Sequence, residues 1–257
     1  MRFFSRFRRG GSGPVTRRHR VPDGLLIYAI GDIHGRDDLF ADILDRIDAD
    51  RRSRPHDRSA LVLLGDLVDR GPDSDRVVAR AMTLSARFDN FHLLIGNHEE
   101  CMLAALSGDV RSLRYFVRIG GDATVRSYLR DDARYDAASF EELADAFPAA
   151  VPQDHVDFLG SGEDWVTYGD YMFVHAGVRD NAPLDRQKTS DLRWIREEFL
   201  QSRAEREVII VHGHTISSEV EEHSNRIGID TGAYASGKLT ALGLVGNERW
   251  FIQTAAA

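Results

Sequence analysis

From Leu25 onward the chain alternates short apolar runs with amphipathic stretches. Leu25–Ile30 is apolar throughout, the pattern of a strand buried on both faces. Residues 37–51 place Leu39, Phe40, Ile43, Leu44 and Ile47 on one helical face. Residues 60–64 repeat the strand pattern. Residues 73–88 read as a helix, with Val77, Val78, Ala81, Met82 and Leu84 apolar, and 91–95 as a third strand. Strand and helix in alternation predict a parallel sheet with helices packed on it. Residues from about 100 to 163 are mostly helical in pattern, interrupted at Gly120-Gly121 and again at Pro148 and Pro152. Residues 165–168 and 171–174 are β-rich runs joined at Gly169-Asp170, which predicts a hairpin. A helix over 190–200 follows, then strands over 207–211, 226–229, 239–245 and 249–252. The β-rich second half predicts a second sheet, packed face to face on the first with helices outside.

Charge divides the chain in two. The formal net charge is −8, yet the first twenty residues hold seven arginines and no acid, so residues 21–257 carry −8 − 7 = −15. Residues 1–22 are read as a disordered basic leader, broken by Gly10-Gly11-Ser12-Gly13-Pro14. Residues 23–257 are read as one domain. Phe and Arg mix in the leader, so a second reading rests it weakly on an anionic membrane surface. The acidic body argues against broad nucleic-acid binding. One cysteine, Cys101, forbids an internal disulfide and suits a reducing compartment. It is read as a buried, inert thiol. The longest apolar run is too short to span a membrane, and no signal-peptide pattern follows the basic start. The expectation is therefore a cytoplasmic protein.

Five glycine-flanked motifs change the picture from fold to chemistry. They are Gly31-Asp32-Ile33-His34-Gly35, Gly65-Asp66-Leu67-Val68-Asp69-Arg70-Gly71, Gly96-Asn97-His98-Glu99, His175-Ala176-Gly177 and His212-Gly213-His214-Thr215. Three directly follow a predicted strand, where open α/β sheets collect ligands. Asp32 and His34 lie two apart on a tight loop and can reach one metal ion. Asp66, at the next strand end, can bridge two ions. Asn97, His175 and His214 can complete a second site. Hard oxygen and borderline nitrogen donors without thiolate suit two divalent ions: Mn is expected, and Fe or Zn fit the same donors. Such a pair can clamp a phosphate and activate water. Arg70 can grip phosphate oxygens through its planar fork, and Arg196 is a candidate second clamp. His98 can protonate a leaving oxygen, with Asp69 holding its other ring nitrogen. Glu99 is read as orienting its loop, and Asp230 as an acid behind the ligands. His212 is left open as a ligand.

These motifs, in this order, resemble the phosphoprotein phosphatase branch of the calcineurin-like metallophosphoesterases. The resemblance runs from about residue 25 to 245. It implies an α/β fold, a β-sandwich flanked by helices, with a dinuclear centre at one edge. The stretch 100–163 becomes a helical insert over the active site. The resemblance also implies one ion on Asp32, His34 and Asp66, and another on Asp66, Asn97, His175 and His214. Asp69 and His98 match the acid pair, Arg70 the phosphate clamp, and Arg196 the second phosphate arginine of bacterial members. In such enzymes a metal-activated hydroxide attacks phosphorus in line and no phospho-enzyme forms.

Leu67 stands where eukaryotic members usually carry Tyr, so the chain looks closer to bacterial and phage-type proteins. The expected activity is that of a bacterial serine/threonine protein phosphatase, acting on a phosphoprotein or a phosphorylated small molecule. The alternative is a symmetrical dinucleoside tetraphosphate hydrolase, for which arginines and tyrosines of the insert offer a pocket. A cyclic-nucleotide phosphodiesterase fits the Asp-Arg-Gly and Asn-His-Glu forms less well. A non-catalytic relative that kept the fold would normally have lost a ligand, and every matched position here is filled.

Overall fold

The computed structural model describes residues 19–255. Strand β1 (Leu25–Ile30), helix α1 (Asp37–Ser53), β2 (Arg58–Leu63), α2 (Ser74–Met82) and β3 (Asn90–Leu93) form the first half. A run of helices follows: α3 (Asn97–Ala105), α4 (Val110–Phe116), α5 (Asp122–Leu129), α6 (Asp132–Ala137), α7 (Phe140–Ala150) and α8 (Gln153–Gly160). The chain then makes the hairpin β4 (Trp165–Tyr168) and β5 (Tyr171–Val174), helices α9 (Thr189–Trp194) and α10 (Glu197–Leu200), and β6 (Ile209–His212). It ends with β7 (Glu221–Glu222), β8 (Arg226–Gly228), α11 (Ala233–Ser236), β9 (Thr240–Val245) and β10 (Glu248–Gln253).

The strands make two sheets, in the orders β10-β9-β1-β2-β3 and β4-β5-β6-β8-β7. Alternation of side chains along each strand divides the apolar residues between layers. Leu25, Ile27 and Ala29 of β1 join Val62, Phe173, Val211, Leu242 and Leu244 between the sheets. Leu26, Tyr28 and Ile30 face the other way, onto Phe40, Ile43 and Val77 of the helices. Met172, Val174 and Ile210 cover the outer face of the second sheet, against Leu192, Ile195 and Phe199. The result is four layers: helix, sheet, sheet, helix. The sandwich flanked by helices is as expected.

Three expectations need correction. The last two strands do not extend the second sheet: β9 pairs antiparallel with β1, and β10 with β9. An apolar run announces a strand, and β1, buried on both faces, needed a partner on its open edge. The helix expected over 190–200 is two pieces. Ile195 leaves helical geometry (ψ 142°) and Arg196 follows at φ −129°, ψ −101°, while Ile195 itself is buried. Burying Ile195 with Leu192 and Phe199 sets the kink. Val21, read as part of the leader, is instead seated on the domain: it is 1% exposed, and its N–H donates to the Gly246 carbonyl at 2.9 Å. Most of the leader, and the membrane-surface reading that rests on it, lies outside the described residues. Among the described residues no helix is long and apolar enough to cross a membrane.

Candidate metal centre

Strands β1, β2 and β3 run parallel, as do β5, β6 and β8. Each strand end delivers one motif. Asp32 and His34 follow β1, Asp66 to Arg70 follow β2, Asn97 and His98 open α3 after β3, His175 follows β5 and His214 follows β6. To turn inward so soon after a strand, the backbone adopts left-handed geometry. Six non-glycine residues have positive φ among those described, and five are His34 (47°), Asp66 (51°), Asp69 (75°), Arg70 (68°) and His214 (66°). Such conformations are costly and persist only where the surroundings fix them. The glycines make room: a Cβ on Gly96 would strike the Asp66 carboxylate, and one on Gly213 the Asp32 carboxylate.

Asp32, His34, Asp66, Asn97, His98, His175 and His214 are all buried. The Nδ1–H of His34 donates to the Val68 carbonyl at 2.8 Å, and that of His175 to the Leu64 carbonyl at 2.8 Å. Each bond leaves an Nε2 lone pair facing inward. His34 Nε2 lies 3.6 Å from Asp66 Oδ2. His175 Nε2 lies 3.1 Å from Asn97 Oδ1, 3.2 Å from His214 Nδ1 and 3.4 Å from Asp66 Oδ1. Asp66 thus faces two groups of donor atoms, one with His34 and His98 and one with His175 and His214. The backbone N–H of His214 donates to Asp32 at 3.0 and 3.1 Å.

His98 donates from Nδ1 to Asp69 Oδ2 at 2.5 Å. The other Asp69 oxygen accepts from Thr124 Oγ1 at 2.7 Å. Arg70 donates to His34 Nε2 at 2.9 Å and to His98 Nε2 at 3.0 Å. Arg196 is exposed on the break between α9 and α10. Its charge disfavours protonation of both His98 and His214, so it lies within electrostatic reach of the centre.

Electrostatics show what this arrangement wants. Burial, then Asp230 and Asp66, push the Asp32 carboxyl well above its usual range. Burial likewise raises Asp66 and Asp69. Burial also lowers His175 to about 4 and His214 to about 2, and takes His34 well down, so these rings are neutral and available as ligands. Carboxylate oxygens and ring lone pairs therefore crowd one another around His175, Asn97 and Asp66. His214 Nε2 and Asp230 Oδ2 are buried without a hydrogen-bond partner. Such a set is unfavourable by itself and is relieved by cations. The residues present fit two divalent ions.

The calcineurin-like phosphoesterase family matches residues 25–239. The chain belongs to that family. As a calcineurin-like phosphoesterase, it is 42% identical over 90 residues to a symmetrical bis(5'-nucleosyl)-tetraphosphatase of Delftia acidovorans, a match covering 35% of this chain and 29% of that protein. The chain thus spans under a third of the length of the first curated relatives it matches. A second likeness is longer: 27% identity over 224 residues to the asymmetrical bis(5'-nucleosyl)-tetraphosphatase PrpE of Halalkalibacterium halodurans, covering 83% of this chain and 87% of that one. The crystal structure of a candidate diadenosine tetraphosphatase superposes with a TM-score of 0.61 at 20% identity, over 90% of this chain and 95% of that chain, a likeness of fold.

Within this calcineurin-like phosphoesterase, Asp66 lies between the His34–His98 and His175–His214 groups, with Asn97 beside His175 and Asp32 beside the His214 N–H, and two neighbours sort out. Glu99 accepts from the backbone N–H groups of Asp66, Leu67 and Gly96 at 2.7, 2.7 and 2.9 Å, and so ties two motif loops together. His212 turns away: its ring meets Phe199 edge-on and its Nε2 faces Arg226 at 3.5 Å. Sequence reasoning missed Thr124 and Tyr234. Thr124 follows the Gly120-Gly121 break, where Arg70 N–H donates to the Gly120 carbonyl at 2.9 Å. The glycine pair was the available signal. Tyr234 follows Asp230-Thr231-Gly232-Ala233, and its ring lies under the Arg70 guanidinium, 4.8 Å from Cζ.

Proposed function

We propose that this calcineurin-like phosphoesterase hydrolyses dinucleoside polyphosphates with water as nucleophile at a two-metal centre. The observation that carries the hydrolase reading is the crowding around Asp66, where His34, His98, His175, His214 and Asn97 converge with lone pairs inward. Asp32, His34 and Asp66 would hold one ion, and Asp66, Asn97, His175 and His214 the other. When bound, the two ions supply Lewis-acid polarisation of the phosphate and a nucleophilic water. The chain's own residues do the rest. Arg70 and Arg196 grip the non-bridging phosphate oxygens and oppose their negative charge. The water oxygen ends on phosphorus as the bond to the leaving oxygen breaks. The proton shed by the water is taken up at His98 Nε2 and passed to that leaving oxygen, while Asp69, held by Thr124, keeps the ring aligned.

The names of the curated relatives favour a dinucleotide over a phosphoprotein. Room beside the centre supports the same reading. A cleft of about 610 Å³ begins at Arg70 and continues past Arg76, Arg126 and Arg130, which alternate with Asp73, Asp75, Asp122 and Asp132. That is within the size range of small-molecule sites, and it would receive the second nucleotide. The test is turnover with Mn²⁺ of diadenosine tetraphosphate beside a phosphoserine peptide, under identical conditions. The expected result is a kcat/KM at least about tenfold higher for the dinucleotide, a difference of about 1.4 kcal/mol in transition-state binding. A preference for the peptide makes the protein a phosphoprotein phosphatase instead.

A further inference from the structure

Three large hydrophobic residues are exposed among those described: Tyr115, Ile216 and Tyr234. Two of them lie on segments next to the metal centre, Ile216 two residues after His214 and Tyr234 against His34. Ile216 leans on the backbone of Gly232, close enough that a Cβ there would lie 2.9 Å from Ile216 Cγ2. Tyr234 comes two residues later on the short helix α11. The loop carrying Ile216 is tied down as well, by Ser217 N–H donating to the Asp230 carbonyl at 3.1 Å. The Tyr234 ring stands edge-on to His34, with centroids 5.6 Å apart and planes at 84°. Its residue is 36% exposed and Ile216 is 46% exposed. Among the described residues nothing hydrogen-bonds the Tyr234 hydroxyl, so no polar contact explains why an aromatic ring stands there. Its buried neighbour Ala233 supplies the packing of α11.

An apolar step at the rim of a site otherwise built of carboxylates, imidazoles and guanidinium suits a substrate with a flat apolar part close to its phosphate. We infer that Tyr234 and Ile216 form a ledge on which a nucleobase of the substrate rests while the adjoining phosphate is held at Arg70. Every base has a π-face, so an aromatic platform binds it with little sequence preference. Arg70 links the two functions, because the guanidinium that faces phosphate also stacks on Tyr234. The inference rests on the nucleotide reading above for its ligand, and on the ledge's geometry for its place.

The test separates the two. With p-nitrophenyl phosphate as reporter substrate in Mn²⁺, inhibition by AMP is compared with inhibition by inorganic phosphate. The base should make AMP the tighter inhibitor. Tyr234→Ala should lose about tenfold of that margin, Ile216→Ser about threefold, and Tyr234→Phe should keep it within twofold. Inhibition by phosphate should move much less than inhibition by AMP in every variant. A wild-type protein with no AMP margin, or a margin retained in Tyr234→Ala, overturns the ledge. Equal weakening of AMP and phosphate also overturns it, making Tyr234 a prop for Arg70 and His34. Turnover of diadenosine tetraphosphate, measured separately, bears on the nucleotide function alone, so failure of that function and failure of the ledge are told apart.

Discussion

The floor and the rim of the metal centre are built by different means. On the floor, Asp32, His34, Asp66, Asn97, His175 and His214 are buried. His34, Asp66 and His214 are bent into left-handed geometry, Asn97 opens a helix, and the rings of His34 and His175 are pinned by main-chain carbonyls. Glu99 adds a buried carboxylate that holds the loops after β2 and β3 in register. On the rim, Arg196 and Tyr234 are exposed and make few polar contacts with the protein. Arg70 stands between the two, anchored below to His34 and His98 and open above. A rigid floor can set the chemistry shared by a family, while a loosely held rim can be changed to suit a substrate without disturbing it.

The largest effect should come from the floor residue that serves both donor groups. Asp66→Asn keeps the shape and one hydrogen-bond acceptor but removes the charge between the two groups. Turnover should fall by about a thousandfold or more on every substrate, as expected when a two-metal clamp is lost. Metal content measured on the purified variant should fall with it, while circular dichroism and thermal midpoint show a folded protein. Activity within tenfold of wild type would contradict a floor organised around Asp66.

The rim should respond more weakly and more selectively. Arg70→Ala removes a guanidinium held 2.9 and 3.0 Å from two histidines, and kcat/KM should drop by about a hundredfold. Arg196→Ala removes an exposed group within electrostatic reach of the centre and should cost about tenfold, mostly in KM. Lysine at position 70 should not restore activity, because an ammonium cannot span both partners in the plane of a fork. Steady-state kinetics on two substrates decide the point. If Arg196→Ala matches Arg70→Ala in size and falls on kcat, the division between anchored and free arginines is wrong.

The same division decides what was legible in the sequence. The floor announces itself because a carboxylate or imidazole that must turn inward right after a strand needs glycine beside it, so Gly96 next to Asn97 and Gly213 next to His214 leave a local mark. The layered fold was legible for the same reason, since the alternation in β1 and the 3.6-residue period in α1 are local patterns. Sheet membership is not local: nothing in residues 240–253 states that they return to pair with β1. Thr124 and Tyr234 were missed for that reason. Their roles come from Asp69 and Arg70, which are distant in the chain, and neither position needs special backbone geometry. The kink at Arg196 was hidden because Leu192, Ile195 and Phe199 keep helical spacing across a helix that is broken.

The mildest perturbation, one that leaves turnover alone, tests how closed the floor is from beneath. Cys101 lies on α3, three residues after His98, and lines a small surface cavity of about 310 Å³ with Glu100, Arg111 and Tyr115. A thiol beside a cavity has a path for reagents, so access alone predicts labelling. The thiolate is the reactive form, however. Burial, then Glu100, pushes the Cys101 thiol up to about 12. An ordinary thiol sits near 9.0, so at pH 8 the folded chain carries far less thiolate than the unfolded one. Ellman's reagent at pH 8 should therefore label the folded protein at least about a hundredfold more slowly than the urea-unfolded one. The sign for stability follows: the folded thiol holds its proton more tightly, so its contribution is complete below pH 9 and is lost as pH rises from 9 toward 12. Labelling at the unfolded rate would mean that α3 opens readily. A floor seated on such a helix could not hold Asn97 and His98 as still as the rest of the comparison requires.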